Sequence, residues 1–133
     1  MVHSPTLGPA CPRMATVADS TRAANTPTRT RERLERGEIV SRDASAEMIA
    51  ILKRQQYRDG VGRTLVGVEI ANKTGALDRL RSDVAIVYSG AGRIAMAITV
   101  DDLPEVVWNT ENPGLLLLSR LSLALLEGLA SPR

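Results

Sequence analysis

Lys73, Thr74 and Gly75 stand in succession and are followed by Ala76. They place an ammonium, a hydroxyl and a residue without a β-carbon in one short span. An alternation of apolar positions, Val66, Val68 and Ile70, leads into it. Period-two alternation belongs to a half-buried strand, so the cation and the hydroxyl are expected on a strand. Two further strand-like runs follow, Asp83 to Ser89 and Arg93 to Val100, joined by Gly90-Ala91-Gly92. Glycine accepts positive φ without strain, so that join reads as a hairpin. The three runs together predict a three-stranded antiparallel meander.

Other chemistries are excluded by counting. His3 is the single histidine and Cys11 the single cysteine. That rules out a Ser/His/Asp triad, a histidine-based zinc site, a cysteine-rich metal cluster and an internal disulfide. The doublet Asp101-Asp102 has no other carboxylates spaced to complete an oxygen cage, so it reads as the end of a strand. Arg58-Asp59-Gly60-Val61-Gly62-Arg63 is glycine-rich, but it lacks the Gly-Lys-Ser/Thr ending and the following helix of a phosphate cradle. No cofactor and no metal are implied.

The elements that must position the motif can be read from the rest of the chain. At 133 residues, 44% of them hydrophobic, it is one domain at most and can bury a core. With one Trp, two Tyr and no Phe, that core must be aliphatic. Of 17 basic residues only Lys53 and Lys73 are lysines, and the net charge of +2 is too small to argue for nucleic acid. Residues Met1 to Asn25, rich in Pro, Ser, Thr and Ala, are expected to be a loose or disordered leader. They show no secretory signal peptide. Thr26-Pro27 then reads as the cap and first residue of a helix over Thr28 to Arg36, ended by Gly37. Its four arginines alternate with Glu32 and Glu35, the pattern of a solvated face rather than a nucleic-acid stripe. Ser45 is expected to cap a second helix from about Ala46 to Tyr57, with Met48, Ile49, Ile51 and Leu52 as its core stripe. On the third strand Ile94, Met96, Ile98 and Val100 share one face, while Ala95, Ala97 and Thr99 leave room for a helix on the other. Pro104, Asn109, Asn112 and Pro113 mark a long loop before a last helix, Gly114 to Leu129, which is leucine-rich nearly all round. Such a helix must be buried on more than one side, and three strands cover only one. Arg120 and Glu127 interrupt its apolar run, which falls short of the ~20 residues of a membrane span.

Lys-Thr-Gly on such a strand resembles the third motif of serine β-lactamases and penicillin-binding proteins. The flanking sequence is similar to that of class A β-lactamases, with a helix, a basic loop, GVEIANKTGALDRLRSDVAIVY, a hairpin, RIAMAITVDD and a terminal helix in that order. The resemblance runs from about Thr26 to Leu129 and is to the C-terminal half of that domain. It implies an α+β fold in which the three-stranded sheet is flanked by helices. In the family an N-terminal helix and an N-terminal strand would complete it. The family is typically periplasmic or secreted.

The resemblance also assigns roles. Lys73 would bring positive charge to the cleft and Thr74 would donate to a substrate carboxylate. Gly75 would let substrate approach the strand edge, and Ala76 would offer its N–H to the oxyanion hole. Arg81 would be the guanidinium that pairs with the carboxylate, at an imprecise register. The family's nucleophile is the serine of Ser-x-x-Lys. The residues three before Lys53 and Lys73 are Ala50 and Ile70, so that motif is absent from this chain. Ser82-Asp83 mimics the start of the Ser-Asp-Asn motif, but Val84 follows and the order is wrong. The expectation is therefore a β-lactam-binding wall, inactive alone, whose partners would be a β-lactam or related small molecule and a complementing N-terminal half or a second copy. Membrane and nucleic acid are not expected. A penicillin-binding peptidase fragment and a non-enzymatic module dimerising through its sheet edge and leucine-rich helix are the rival readings.

Overall fold

A computed structural model describes residues 22–130, with side chains from residue 29 onward. Three helices and three strands follow in the order α1 (Arg22–Glu35), α2 (Arg42–Lys53), β1 (Glu69–Leu77), β2 (Leu80–Ser89), β3 (Gly92–Val100) and α3 (Pro113–Ala130). The strands form one antiparallel sheet in the order β1-β2-β3. The α+β reading and the meander stand.

Register divides the sheet into two faces. Ile70, Val87 and Ile94 lie side by side, as do Asn72, Ala85 and Met96, then Thr74, Asp83 and Ile98. This face carries the aliphatic core, where Ile70, Val87, Ile94, Met96 and Ile98 pack with Leu118 of α3 and with Val61 and Leu65 of the loop before β1. On the opposite face Ala71, Ile86 and Ala95 are aligned and buried. There α1 crosses β2 and β3, and α2 crosses β1. The small residues of β3 thus do meet a helix, and the large ones meet another.

Several boundaries differ from the sequence reading. β1 starts at Glu69 rather than Val66, because Gly67 takes φ +76° and Val68 N–H closes a turn on Leu65 O, leaving Val66 exposed. α1 starts at Arg22, so Thr26-Pro27 lies inside it instead of capping it, and 22–25 leave the expected leader. Pro27, sixth in the helix, lies past the first turn and removes one N–H from the i→i−4 ladder. The rest of the expected leader, 1–21, lies outside the described residues. Gly37 does end α1, at φ +71°, with its N–H on Leu34 O and the Glu38 N–H on Arg33 O, the paired bonds of a Schellman ending.

α2 is capped one turn earlier than expected, by Ser41, whose Oγ accepts from Ala44 N–H at 3.1 Å. Ser45 is inside the helix, buried, its hydroxyl donating to Ile39 O and accepting from Ile39 N–H. The helix stops at Lys53, and its apolar stripe is only half covered, with Ile51 exposed. Nothing among the described residues lies over that side. α3 begins where expected. Asn112 caps it, with Oδ1 accepting from Gly114 N–H at 2.8 Å and Nδ2 donating to Val107 O at 2.7 Å. Its 18 residues would be long and apolar enough for a membrane span by length and composition alone. Its Leu118, Ser119 and Ser122 side, however, is buried, with Ser119 and Ser122 bonded to the loop before β1. Leu117 and Leu121, beside that stripe, and Leu129, near the C-terminal end of α3, remain exposed.

Candidate functional site

Lys73, Thr74 and Gly75 occupy the middle of β1, opposite Val84, Asp83 and Ser82 of β2. β1 is an edge strand, so one side of its backbone is free of ladder partners among the described residues. Pleating sends Lys73 to the helix α2 face and Thr74 to the core face. Lys73 is exposed, and its Nζ donates to Thr74 O at 2.6 Å. Thr74 is half-buried, while Gly75 and Ala76 are exposed. A β-carbon on Gly75 would meet only Ser82 Cβ, at 3.8 Å, so the approach to the strand is open at that residue.

A cleft of 290 Å³ lies beside this strand. Thr74, Gly75 and Ala76 form its floor, with Tyr57, Asp59 and Gly60 on one wall and Trp108, Asn109 and Thr110 on another. Lys73 is not among its lining residues. The motif therefore presents Thr74 and the strand backbone to the cleft, and the ammonium from the opposite face.

Two buried polar side chains hold the walls. Asn72, 1% exposed, donates through Nδ2 to Tyr57 O at 3.3 Å and to the Asp83 carboxyl. Asp83 is fully buried and accepts Val61 N–H at 3.0 Å. A β-carbon on Gly60 would lie 2.7 Å from Asp83 Oδ2, so glycine is what lets the loop descend onto the carboxyl. Burial drives the Asp83 pKa above the ordinary carboxylate range, opposed by the bonds from Val61 and Asn72 and by the charges of Arg31 and Lys73. Val61 O accepts from Ser122, and Thr64 donates to Ser119 O, which pins the same loop to α3.

Arg81 is the second anchor. It is 3% exposed and donates to Leu77 O, Leu80 O and Val107 O. Its guanidinium carbon sits 4.5 Å from the centre of the Trp108 ring. It lines the cleft on the same face as Thr74, but it spends three donor bonds on carbonyls of its own chain. Among the described residues these bonds tie the β1–β2 turn to the loop before α3. Arg79 donates to Leu103 O and Arg63 to Thr110 O and Glu111, adding further ties to that loop.

Sequence reasoning finds the floor of this cleft and misses its walls. It puts Tyr57 at the end of a helix and Trp108 in a loop with no assigned role. Asn72 and Asp83, polar residues at core-facing positions of strands, are the signal that could have found them.

A second groove, of 730 Å³, lies between α1, α2 and the sheet. Its charges are largely paired: Glu35 with Arg93 at 2.6 Å and with the Tyr88 hydroxyl, and Lys53 with Glu69 at 2.8 Å. The α1 charges that suggest a solvated face include Glu35, which docks that helix on the sheet. Burial and the Glu35 contact raise the Tyr88 pKa, keeping its hydroxyl a donor.

Residues 6–129 match the model of a family described as the beta-lactamase enzyme family, a span that begins upstream of Thr26. Among solved structures, a beta-lactamase from Sphaerobacter thermophilus superposes with a TM-score of 0.71 at 24% identity, over 82% of this chain and 41% of its own. PBP-A gives 0.68 at 20% identity, over 80% and 39%. A mutant of PBP-A is solved as an acyl-enzyme complex with penicillin G. The TLA-1 extended-spectrum beta-lactamase gives 0.67 at 16% identity, over 80% and 41%. The chain thus spans about two-fifths of the length of these structures. Among curated proteins no significant match is found.

Proposed function

The chain belongs to the beta-lactamase enzyme family, and from that premise we propose that its β1 strand is the substrate wall of a serine hydrolase acting on β-lactam amides. The observation that carries the proposal is Thr74-Gly75-Ala76 on an open edge strand, forming the floor of a 290 Å³ cleft. An edge strand with no β-carbon at Gly75 admits a ligand against its backbone. Thr74 would donate to the ligand carboxylate and Ala76 N–H to the carbonyl oxygen as charge develops there. Lys73 would act from the far face as positive charge. Arg81, with its guanidinium turned to Val107 O and Trp108, would position the wall and keep two of its five N–H donors for the carboxylate.

Acyl-enzyme chemistry needs a nucleophile that this wall does not contain. No serine stands three residues before either lysine. The covalent step, in which a serine oxygen gives up its proton and bonds the β-lactam carbonyl carbon while the amide C–N bond breaks and its nitrogen takes up a proton, needs a Ser-x-x-Lys serine that this sequence lacks. We therefore expect the chain alone to bind and not to turn over, with a complementing N-terminal half supplying the serine. Intact-mass spectrometry after incubation with a penicillin tests this directly. An unchanged mass is expected; one stoichiometric adduct, or steady hydrolysis of a chromogenic cephalosporin, would overturn it.

A second reading rests on the exposed Leu117, Leu121 and Leu129 of α3 and on the open sheet edges. These suit a module that pairs with a second copy of itself, whether or not it binds a β-lactam.

A further inference from the structure

The chain contains three aromatic residues, and two of them, Tyr57 and Trp108, flank the cleft beside β1. Both rings are outward: Tyr57 is 67% exposed and Trp108 63%. In a chain whose core is built without aromatics, leaving two large rings in water at one cleft needs an account. Arg81 covers one face of the indole, but neither ring is buried. Their backbones, in contrast, are firmly held. Asn72 Nδ2 donates to Tyr57 O, and Arg81 donates to Val107 O beside Trp108 while lying against the indole at 4.5 Å. Both anchoring side chains are at least nine-tenths buried. Exposed rings on tethered backbones are pre-organised for a ligand, since little ordering remains to be done on binding.

We propose that Tyr57 and Trp108 form an aromatic subsite that takes a flat, uncharged ring on the side chain of the ligand bound along Thr74-Gly75-Ala76. The subsite rests on the reading of β1 as a β-lactam-binding wall and adds a selectivity to it. Arg81 backs the indole by a cation–π contact, and the exposed remainder of the ring is what a ligand ring can cover. Tyr57, on the other wall, presents an amphipathic ring to the same space. A ligand side chain bearing a phenyl group meets both, and a ligand core without one meets neither.

The test uses the full chain, isotope-labelled, titrated separately with benzylpenicillin and with 6-aminopenicillanic acid, which lacks the phenylacetyl group. Trp108 is the only tryptophan, so its indole N–H gives one unambiguous resonance. With benzylpenicillin we expect saturable shifts of that indole, of Tyr57 and of the amides of Thr74, Gly75 and Ala76. With 6-aminopenicillanic acid only the strand amides should move. Trp108→Ala should weaken benzylpenicillin by about fivefold to tenfold, and by clearly more than it weakens 6-aminopenicillanic acid. Trp108→Phe, which keeps a ring on the same loop, should restore most of the difference. If the strand amides respond to both ligands with equal affinity while the indole stays still, the subsite is wrong and the β1 wall stands. If nothing responds to either ligand, both are wrong.

Discussion

At the scale of single residues, Asp83 is the buried titratable group that joins β2 to the loop before β1. It is fully buried under the loop that carries Tyr57, and burial is the dominant influence on it. Its folded-state pKa lies above its unfolded value, so the folded form binds the proton more tightly than the unfolded one. The stability linked to that proton is fully present below the ordinary carboxylate range and is lost as pH rises through the raised folded value. Asp83→Asn keeps an oxygen to accept Val61 N–H and removes the titration. We expect the variant's melting temperature, relative to the parent, to climb as pH goes from acidic to neutral. A difference that stays flat with pH would show that Asp83 ionises in the fold without cost. Gly60 belongs to the same contact. A methyl there would press on Asp83 Oδ2 at 2.7 Å, and Gly60→Ala should cost ~1–3 kcal/mol in urea-unfolding experiments. An unshifted denaturation midpoint would mean that the loop can lift off the carboxyl.

At the scale of elements, the helix caps give a graded test. Ser41 caps α2 at an exposed position, with one side-chain bond to Ala44 N–H. Ser41→Ala should cost about 1 kcal/mol. Asn112 caps α3 from a fully buried position and also holds Val107 O. Asn112→Ala removes a cap and leaves a buried carbonyl without that donor, so a loss of ~2–4 kcal/mol is expected. Equal losses at the two sites, by chemical denaturation, would refute the ranking. These caps also show what the sequence can reveal. Asn112-Pro113-Gly114 carries the start of α3 plainly, as Gly90-Ala91-Gly92 carries the second hairpin and Gly37 the end of α1. Ser41 is hidden by Ser45, which has the same chemistry four residues on, and only packing decides which of them goes inside. The strand alternation likewise extends past its true start, because Val66 keeps the pattern while Gly67 breaks the backbone. The floor of the cleft is legible as three consecutive letters. Its walls depend on Asn72 and Arg81 reaching carbonyls 15 and 26 residues away in sequence, and no local pattern encodes that.

At the scale of the whole molecule, the balance between what is covered and what is open is set by three strands serving two helical layers. The sheet buries α3 along Leu118 and Ser122 but leaves Leu117 and Leu121, one turn apart, at 45% and 40% exposure. β1 and β3 are both edges. Exposed leucines along a helix face, and strand edges unpaired among the described residues, are the kinds of surface that chains cover by association. That surface is the observation behind the proposed pairing with a second copy. For the chain by itself a second copy is the partner at hand. We expect sedimentation velocity to show a weight that rises with concentration, and Leu117→Glu with Leu121→Glu to hold it at the monomer value. The double variant should still melt cooperatively, because both side chains already sit partly in water while the Leu118 face is untouched. A parent chain that stays monomeric across the concentration range would sink the self-pairing reading and leave α3 as a core helix with one wet side.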